Sequence, residues 1–284
     1  MAFEGHFNNN SFSRTLLRSR KTESKGHGVI TFLYIPDYTR GKSQIRRWFR
    51  TSPGEQYAAV AKLYGIDADP KRLTNAFGSS FKKQENISPN FGASCIGWQN
   101  WWLSVVKDTF HGADYHADDK TLTSVGYHLL KHFSTSNPYE LFDGTIPFLE
   151  KISNRTSKLG VISNSDDRLD EILRQLGVRH YFDFVLCSYN VKVAKPDPEI
   201  FQHALVAAGG KIKPSEALHI GDDLQRDYLG ARASGWQSFL VRNNYPLICE
   251  KGAVVPDQTS MFTSLQELLP AIEHFTKVVE QTTE

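Results

Sequence analysis

From residue 140 onward, short apolar runs alternate with stretches of helical spacing. Leu159–Ser163, Phe184–Cys187, Ala217–Ile220 and Gln237–Val241 are nearly unbroken in apolar character. Strands buried on both faces of a parallel sheet have this pattern. Between the first two runs, Leu169, Ile172, Leu173 and Leu176 fall at helical intervals, with Asp166 and Asp167 expected at the helix start and Gly177 at its end. Pro196-Asp197-Pro198 opens a second helix, where Asp197 can cap and Pro198 suits the first helical position; Gly209-Gly210 closes it. Leu265, Leu268, Leu269, Ile272 and Val279 share one face of a last helix. Strand–helix alternation of this kind predicts an α/β fold, a doubly wound Rossmann-like parallel sheet.

Residues 53–133 follow a different rhythm, with helical periodicity and little that reads as strand. Trp98, Trp102, Val105 and Thr109 lie on one face, and Leu122, Val125 and Leu129 on another. An aromatic stripe at helical spacing is expected to pack a core. Breaker clusters bracket the block, Thr51-Ser52-Pro53-Gly54 before it and Ser134-Thr135-Ser136-Asn137-Pro138 after it. The simplest account is a helical module, residues 53–133, inserted into an α/β core made of residues 28–52 and 134–284.

Composition changes this picture mainly at the N-terminus. The 284-residue chain has a formal net charge of +2. Residues 1–50 carry ten Lys/Arg (positions 14, 18, 20, 21, 25, 40, 42, 46, 47 and 50) against Glu4, Glu23 and Asp37. Residues 1–27 are also rich in Ser and Asn, which fits both a mitochondrial transit peptide and a disordered extension. Localisation is accordingly expected to be intracellular, cytoplasmic or mitochondrial. The basic residues lack a nucleic-acid-binding module, so no nucleic-acid partner is expected. Val29 to Ile35, with Thr31 inside it, is too short to cross a bilayer, and no membrane partner is expected. Cys95, Cys187 and Cys249 are scattered and odd in number, which argues for free thiols in a reducing compartment. Cys187, inside an apolar run, is expected to be buried and inert. Oligomeric state is not legible.

Ligands of doubly wound sheets bind beyond the carboxyl ends of the strands. Three runs end in polar residues: Ile162 leads to Ser163-Asn164, the Cys187 run to Lys195-Pro196-Asp197, and Gly221 to Asp222-Asp223, with Asp227 following. Each has a bland alternative: a turn, a surface lysine, a helix cap. Taken in order at the ends of strands, hydroxyl, lysine and paired aspartates are a kit for phosphoryl transfer. The hydroxyl and nearby N–H groups would hold phosphoryl oxygens, the lysine would face developing charge, and the carboxylates would take Mg²⁺.

VISNS (161–165), KPDPEIF (195–201) and HIGDDLQRDYLGARASGW (219–236) resemble the second, third and fourth motifs of the haloacid dehalogenase-like hydrolases. The resemblance implies a helical cap over an α/β core and a Mg²⁺-dependent phosphatase acting on a small phosphorylated metabolite through an aspartyl-phosphate. It implies that Ser163 and Asn164 bind the phosphoryl group and that Lys195 stabilises the transition state. Asp222 would be a metal ligand, with Asp223 or Asp227 acting directly or through a neighbour.

The first motif departs from this pattern. The family's strand ends in a nucleophilic aspartate, but Gly28-Val29-Ile30-Thr31-Phe32 is followed by Leu33, with Ile35 two residues on. Neither side chain can attack phosphorus or bind magnesium. Asp37 would reach the slot only if the strand ran longer, with Thr39 near the family's threonine; Pro36 counts against that, because proline cannot donate to a central ladder. As a turn residue beside proline, Asp37 needs no function. Residues 33–50 look foreign to the family, so two further readings stand beside the phosphatase: a catalytically inactive binding or scaffold protein with this fold, and an aberrant splice product. Dehalogenation would need the same missing aspartate.

Overall fold

The computed structural model describes residues 29–32, 49–154, 156, 158–241 and 256–283. Leu33, Asp37, Cys249 and the basic segment 1–27 lie outside the described residues. Six parallel strands form one sheet in the order β3-β2-β1-β4-β5-β6: β1 Val29–Phe32, β2 Lys158–Ser163, β3 Phe184–Cys187, β4 Ala217–Gly221, β5 Gln237–Val241 and β6 Met261–Phe262. This is the doubly wound order, and its switch point lies between β1 and β4, where the chain reverses the direction in which it adds strands. The two-residue β6 was not anticipated, because so short a run carries no pattern of its own.

Alternation along β2 shows how the layers form. Leu159 and Val161 pack with Leu149, Ile152, Leu218 and Ile272 on one face, while Ile162 packs with Ile200, Phe201 and Trp236 on the other. Helices therefore cover both faces. The helix Pro198–Ala207 begins as its sequence predicts, with the Asp197 side chain accepting from Glu199 N. The helix Leu169–Gln175 does not: its N-cap is Arg168, without a side-chain cap bond, and Asp166 is engaged elsewhere.

The helical cap comprises Pro53–Lys62, Pro70–Ile87, Trp98–Gly112 and Asp119–His132. Its first helix starts in a capping box between Ser52 and Glu55, and Asp69 and Asp118 cap the second and fourth. Tyr57, Leu73, Phe77, Phe81 and Trp101 form its interior. The aromatic stripe is thus packing, as its spacing predicts. Among the described residues no helix is long and apolar enough to cross a membrane. Cys187 is buried, and burial pushes its thiol up to about 11, consistent with an inert thiol.

Gly54 is where the first two cap helices meet most closely. A Cβ there would stand 2.1 Å from Pro70 O and 2.6 Å from Thr74 N, both backbone atoms that cannot step aside alone. Gly54→Ala is expected to destabilise the chain by about 1–3 kcal/mol, read as a lowered urea midpoint.

Candidate active site

Three of the residues singled out at the strand ends, Lys195, Asp222 and Asp223, converge on the carboxylate of a fourth, Asp227. Asp227, on a π-helical turn Leu224–Leu229 just past β4, is buried and accepts four hydrogen bonds. Its Oδ1 takes Lys195 Nζ at 2.6 Å and His219 Nε2 at 3.1 Å. Its Oδ2 takes the backbone N–H groups of Asp222 at 3.1 Å and Asp223 at 2.9 Å. A carboxylate has about four lone-pair sites, so Asp227 is filled. It holds the acidic turn and the lysine in place.

Lys195 is tied from two further directions. Its Nζ donates to Ile162 O at 2.9 Å, the last carbonyl of β2 before Ser163. The Asn164 side chain closes a two-bond clamp on the Lys195 backbone, Oδ1 accepting from N at 2.8 Å and Nδ2 donating to O at 2.9 Å. Ser163 ends β2, buried, opposite Cys187 of β3. The carboxyl ends of β2 and β4 and the loop after β3 are therefore locked into one network. Gly221 permits it: a Cβ there would overlap the Asp227 carboxylate at 2.3–2.5 Å.

Charge explains the protonation states. Burial alone would raise the Asp227 carboxyl, but the Lys195 ammonium and the His219 hydrogen bond outweigh it and hold it far below the ordinary carboxylate range. Burial, with the Lys195 charge, pushes His219 down, so its neutral ring donates Nε2–H to Asp227. His219 escaped notice in the sequence, where it interrupts an apolar strand; a lone polar residue in a buried run was the available signal.

The paired aspartates divide. Asp223 is buried and caps the π-helical turn, its Oδ1 accepting from Gln225 N and Arg226 N at 2.8 Å each. That is the helix-cap role weighed above. Asp222 is half-buried and borders the same turn. Among the described residues no three His, Cys, Asp or Glu side chains are grouped to hold a metal ion. With Asp227 filled and Asp223 capping, the described donors do not make up a magnesium set.

The first motif meets the site from β1, whose register runs Thr31 opposite His219 and Phe32 opposite Ile220. The described strand thus stops one residue short of the level of Gly221, and Leu33 follows it in the chain.

A second cluster, unforeseen, lies where the cap meets the loop after β2. Asp166 and Arg168 form a buried two-bond ion pair, Arg168 Nε to Oδ1 at 2.8 Å and Arg168 Nη2 to Oδ2 at 2.6 Å. Trp102 Nε1 donates to Asp166 Oδ2 at 2.7 Å from the cap. Beside it is an apolar cavity lined by Phe49, Tyr57, Phe77, Trp102, Leu129 and Arg168. Its apolar walls are no place for a phosphoryl group.

Comparison with known proteins agrees with this architecture. The haloacid dehalogenase-like hydrolase family matches residues 33–235. The bovine (Bos taurus) haloacid dehalogenase-like hydrolase domain-containing protein 3 is 38% identical over 222 residues, covering 78% of this chain and 87% of that protein. The Rhythmically expressed gene 2 protein of Drosophila melanogaster is 35% identical over 228 residues, covering 77% and 88%. Among solved structures, 2-haloacid dehalogenase from Pseudomonas syringae pv. Tomato DC3000 superposes with a TM-score of 0.57 at 21% identity, covering 88% and 99%. That likeness concerns the fold alone. The chain belongs to the haloacid dehalogenase-like hydrolases.

Two outcomes follow from the buried charges. Asp227→Asn leaves Lys195 buried without its counter-charge and is expected to lower stability by about 3–5 kcal/mol in urea titration. For Asp166, burial alone would raise the carboxyl, but Arg168 and the hydrogen bonds hold it below its ordinary value. Its contribution is therefore complete above the unfolded carboxylate pKa of about 3.9 and disappears as pH falls through the lower folded value. Tryptophan fluorescence should report the release of Trp102 in that acid range, and an Asp166→Asn variant should lack the transition.

Proposed function

We propose that this chain recognises the phosphoryl group of a small phosphate ester, as a phosphatase-type member of its family whose turnover is limited at the first motif. The observation that carries the reading is the single network joining Asn164, Lys195, Asp222, Asp223 and Asp227 at the strand ends. A buried ammonium, fixed by a filled carboxylate and a strand carbonyl, needs no reorganisation to meet an anionic oxygen. Preorganised charge of this kind favours a phosphoryl group in the ground state and still more as charge develops. Ser163 follows the carbonyl that the ammonium holds and would supply a hydroxyl, and the Asn164 clamp keeps the lysine backbone from drifting.

Magnesium, the cofactor implied by the family resemblance, would neutralise phosphoryl charge beside Asp222; the described donors fall short of a full set for it. Attack on phosphorus requires a carboxylate that the Leu33 slot does not offer. That substitution favours the second reading, a binding or scaffold protein that retains the grip without turnover.

One experiment tests the grip that both readings share, and a second separates them. Inorganic phosphate should bind the full chain in calorimetry, and Lys195→Ala should weaken it at least tenfold, which is about 1.4 kcal/mol; equal affinities for the two proteins would sink the phosphoryl grip. Leu33→Asp should raise p-nitrophenyl phosphate hydrolysis in magnesium by tenfold or more, and Asp222→Ala in that background should remove the gain. No gain from Leu33→Asp would leave the binding-protein reading in possession.

A further inference from the structure

The loop that leaves β2 with Ser163 and Asn164 is held by the cap directly at one place and through Ser188 and Tyr189 at a second. At the first, Trp102 Nε1 donates to Asp166, and the Arg168 guanidinium lies 5.0 Å from the Trp98 ring centroid and 5.3 Å from that of Trp102. Both distances are within the range where a ring face attracts a cation. At the second, Asn90 Nδ2 donates to Ser188 O at 2.8 Å, and Ser188 Oγ and Tyr189 N reach Ser165 O at 3.4 and 3.2 Å.

Both contacts are unusual in what they demand. The Asp166 and Arg168 side chains are 5% and 7% exposed, and a buried ion pair persists only when further partners offset its lost hydration. Here the cap provides a hydrogen bond and two aromatic faces. Asn90 (φ 51°, ψ 51°) and Phe91 (φ 57°, ψ 27°) are successive non-glycine residues in the left-handed region, a strain that persists where surroundings over-determine it. Asn90 Oδ1 and Ser165 Oγ are buried without hydrogen-bond partners on either side of this second contact. The cap therefore meets the loop through one strong direct contact, within five residues of Ser163, and one strained contact relayed by Ser188.

We infer that Trp102 and Arg168 are positioning residues: docking of the cap on the Asp166–Arg168 pair sets the loop 164–168 and, through the Asn164 clamp, the placement of Lys195. The step from loop to ligand rests on the phosphoryl-grip reading above, whereas the coupling of cap to loop does not. Withdrawal of the cap leaves the ion pair facing water and releases the Arg168 amide, which donates to Asp166 Oδ1 at 3.0 Å. A neighbouring residue provides the control. Trp101, on the same helix, spends its Nε1–H on Ser88 O at 2.7 Å entirely inside the cap.

The experiment is hydrogen exchange on the full chain without ligand, comparing Trp102→Phe with Trp101→Phe. Each variant loses one buried indole hydrogen bond, so a merely structural role affects both alike. The expected result is exchange at Arg168 and Leu169 at least tenfold faster in Trp102→Phe, with β2 unchanged, and no such change in Trp101→Phe. Equal loop exchange in the two variants overturns the coupling. Calorimetry with inorganic phosphate then reads the consequence: Trp102→Phe should bind several-fold more weakly and Trp101→Phe as the parent does. Faster loop exchange with unchanged phosphate affinity overturns the positioning role. A parent chain that binds no phosphate overturns the grip itself, while the exchange data still decide the coupling.

Discussion

The buried Asp227 carboxylate is the constraint on which the site depends. Two backbone amides, an ammonium and an imidazole point at its two oxygens. The turn after β4, the loop after β3 and the buried histidine on β4 are registered against one another by this one group. In a low-dielectric surrounding such a network is favourable when every member is satisfied and costly when one is lost. The site therefore behaves as a unit, and its members cannot be assigned separate contributions by single substitutions.

The strand order gives this unit its address. The reversal between β1 and β4 sets the switch point of the sheet, and doubly wound sheets bind their ligands beyond the carboxyl ends of the strands there. The cap meets the core at the loops after β2 and β3, where Trp102 reaches Asp166 and Asn90 reaches Ser188, while most of the cap interior is apolar. Trp102 belongs to both environments: its ring packs among Phe77, Phe81 and Phe91, and its N–H leaves the cap for Asp166. An indole suits that position because it presents a large apolar body with a single polar edge.

Much of the fold was legible because its signals are local. Four strands declared themselves as apolar runs, and Asp197-Pro198 marked a helix start that the structure reproduces. The site was legible as a set of residue types at strand ends. What the sequence could not disclose was how those residues divide the work. Asp222, Asp223 and Asp227 look alike in a one-dimensional reading, and only the turn geometry makes one of them a cap and another the organiser of the network. Asp166 was read as a helix-start residue because it precedes the periodic leucines; its true partners, Arg168 and Trp102, include one 64 residues away. Contacts between a cap and a core leave no periodicity in either.

On the proposed reading, Leu33 in the family's nucleophile slot limits the chemistry. On that reading a grip for a phosphoryl group and a nucleophile for attacking it are separable, the first built on β2, β4 and Lys195 and the second on the end of β1. The most direct measurement of the account is a crystal structure of the chain grown with tungstate, a heavy tetrahedral oxyanion. The account predicts strong density for the anion within hydrogen-bonding distance of Ser163 Oγ and Lys195 Nζ, with Asp227 still holding the lysine. Density for tungstate elsewhere, with Lys195 and Ser163 untouched, would contradict it.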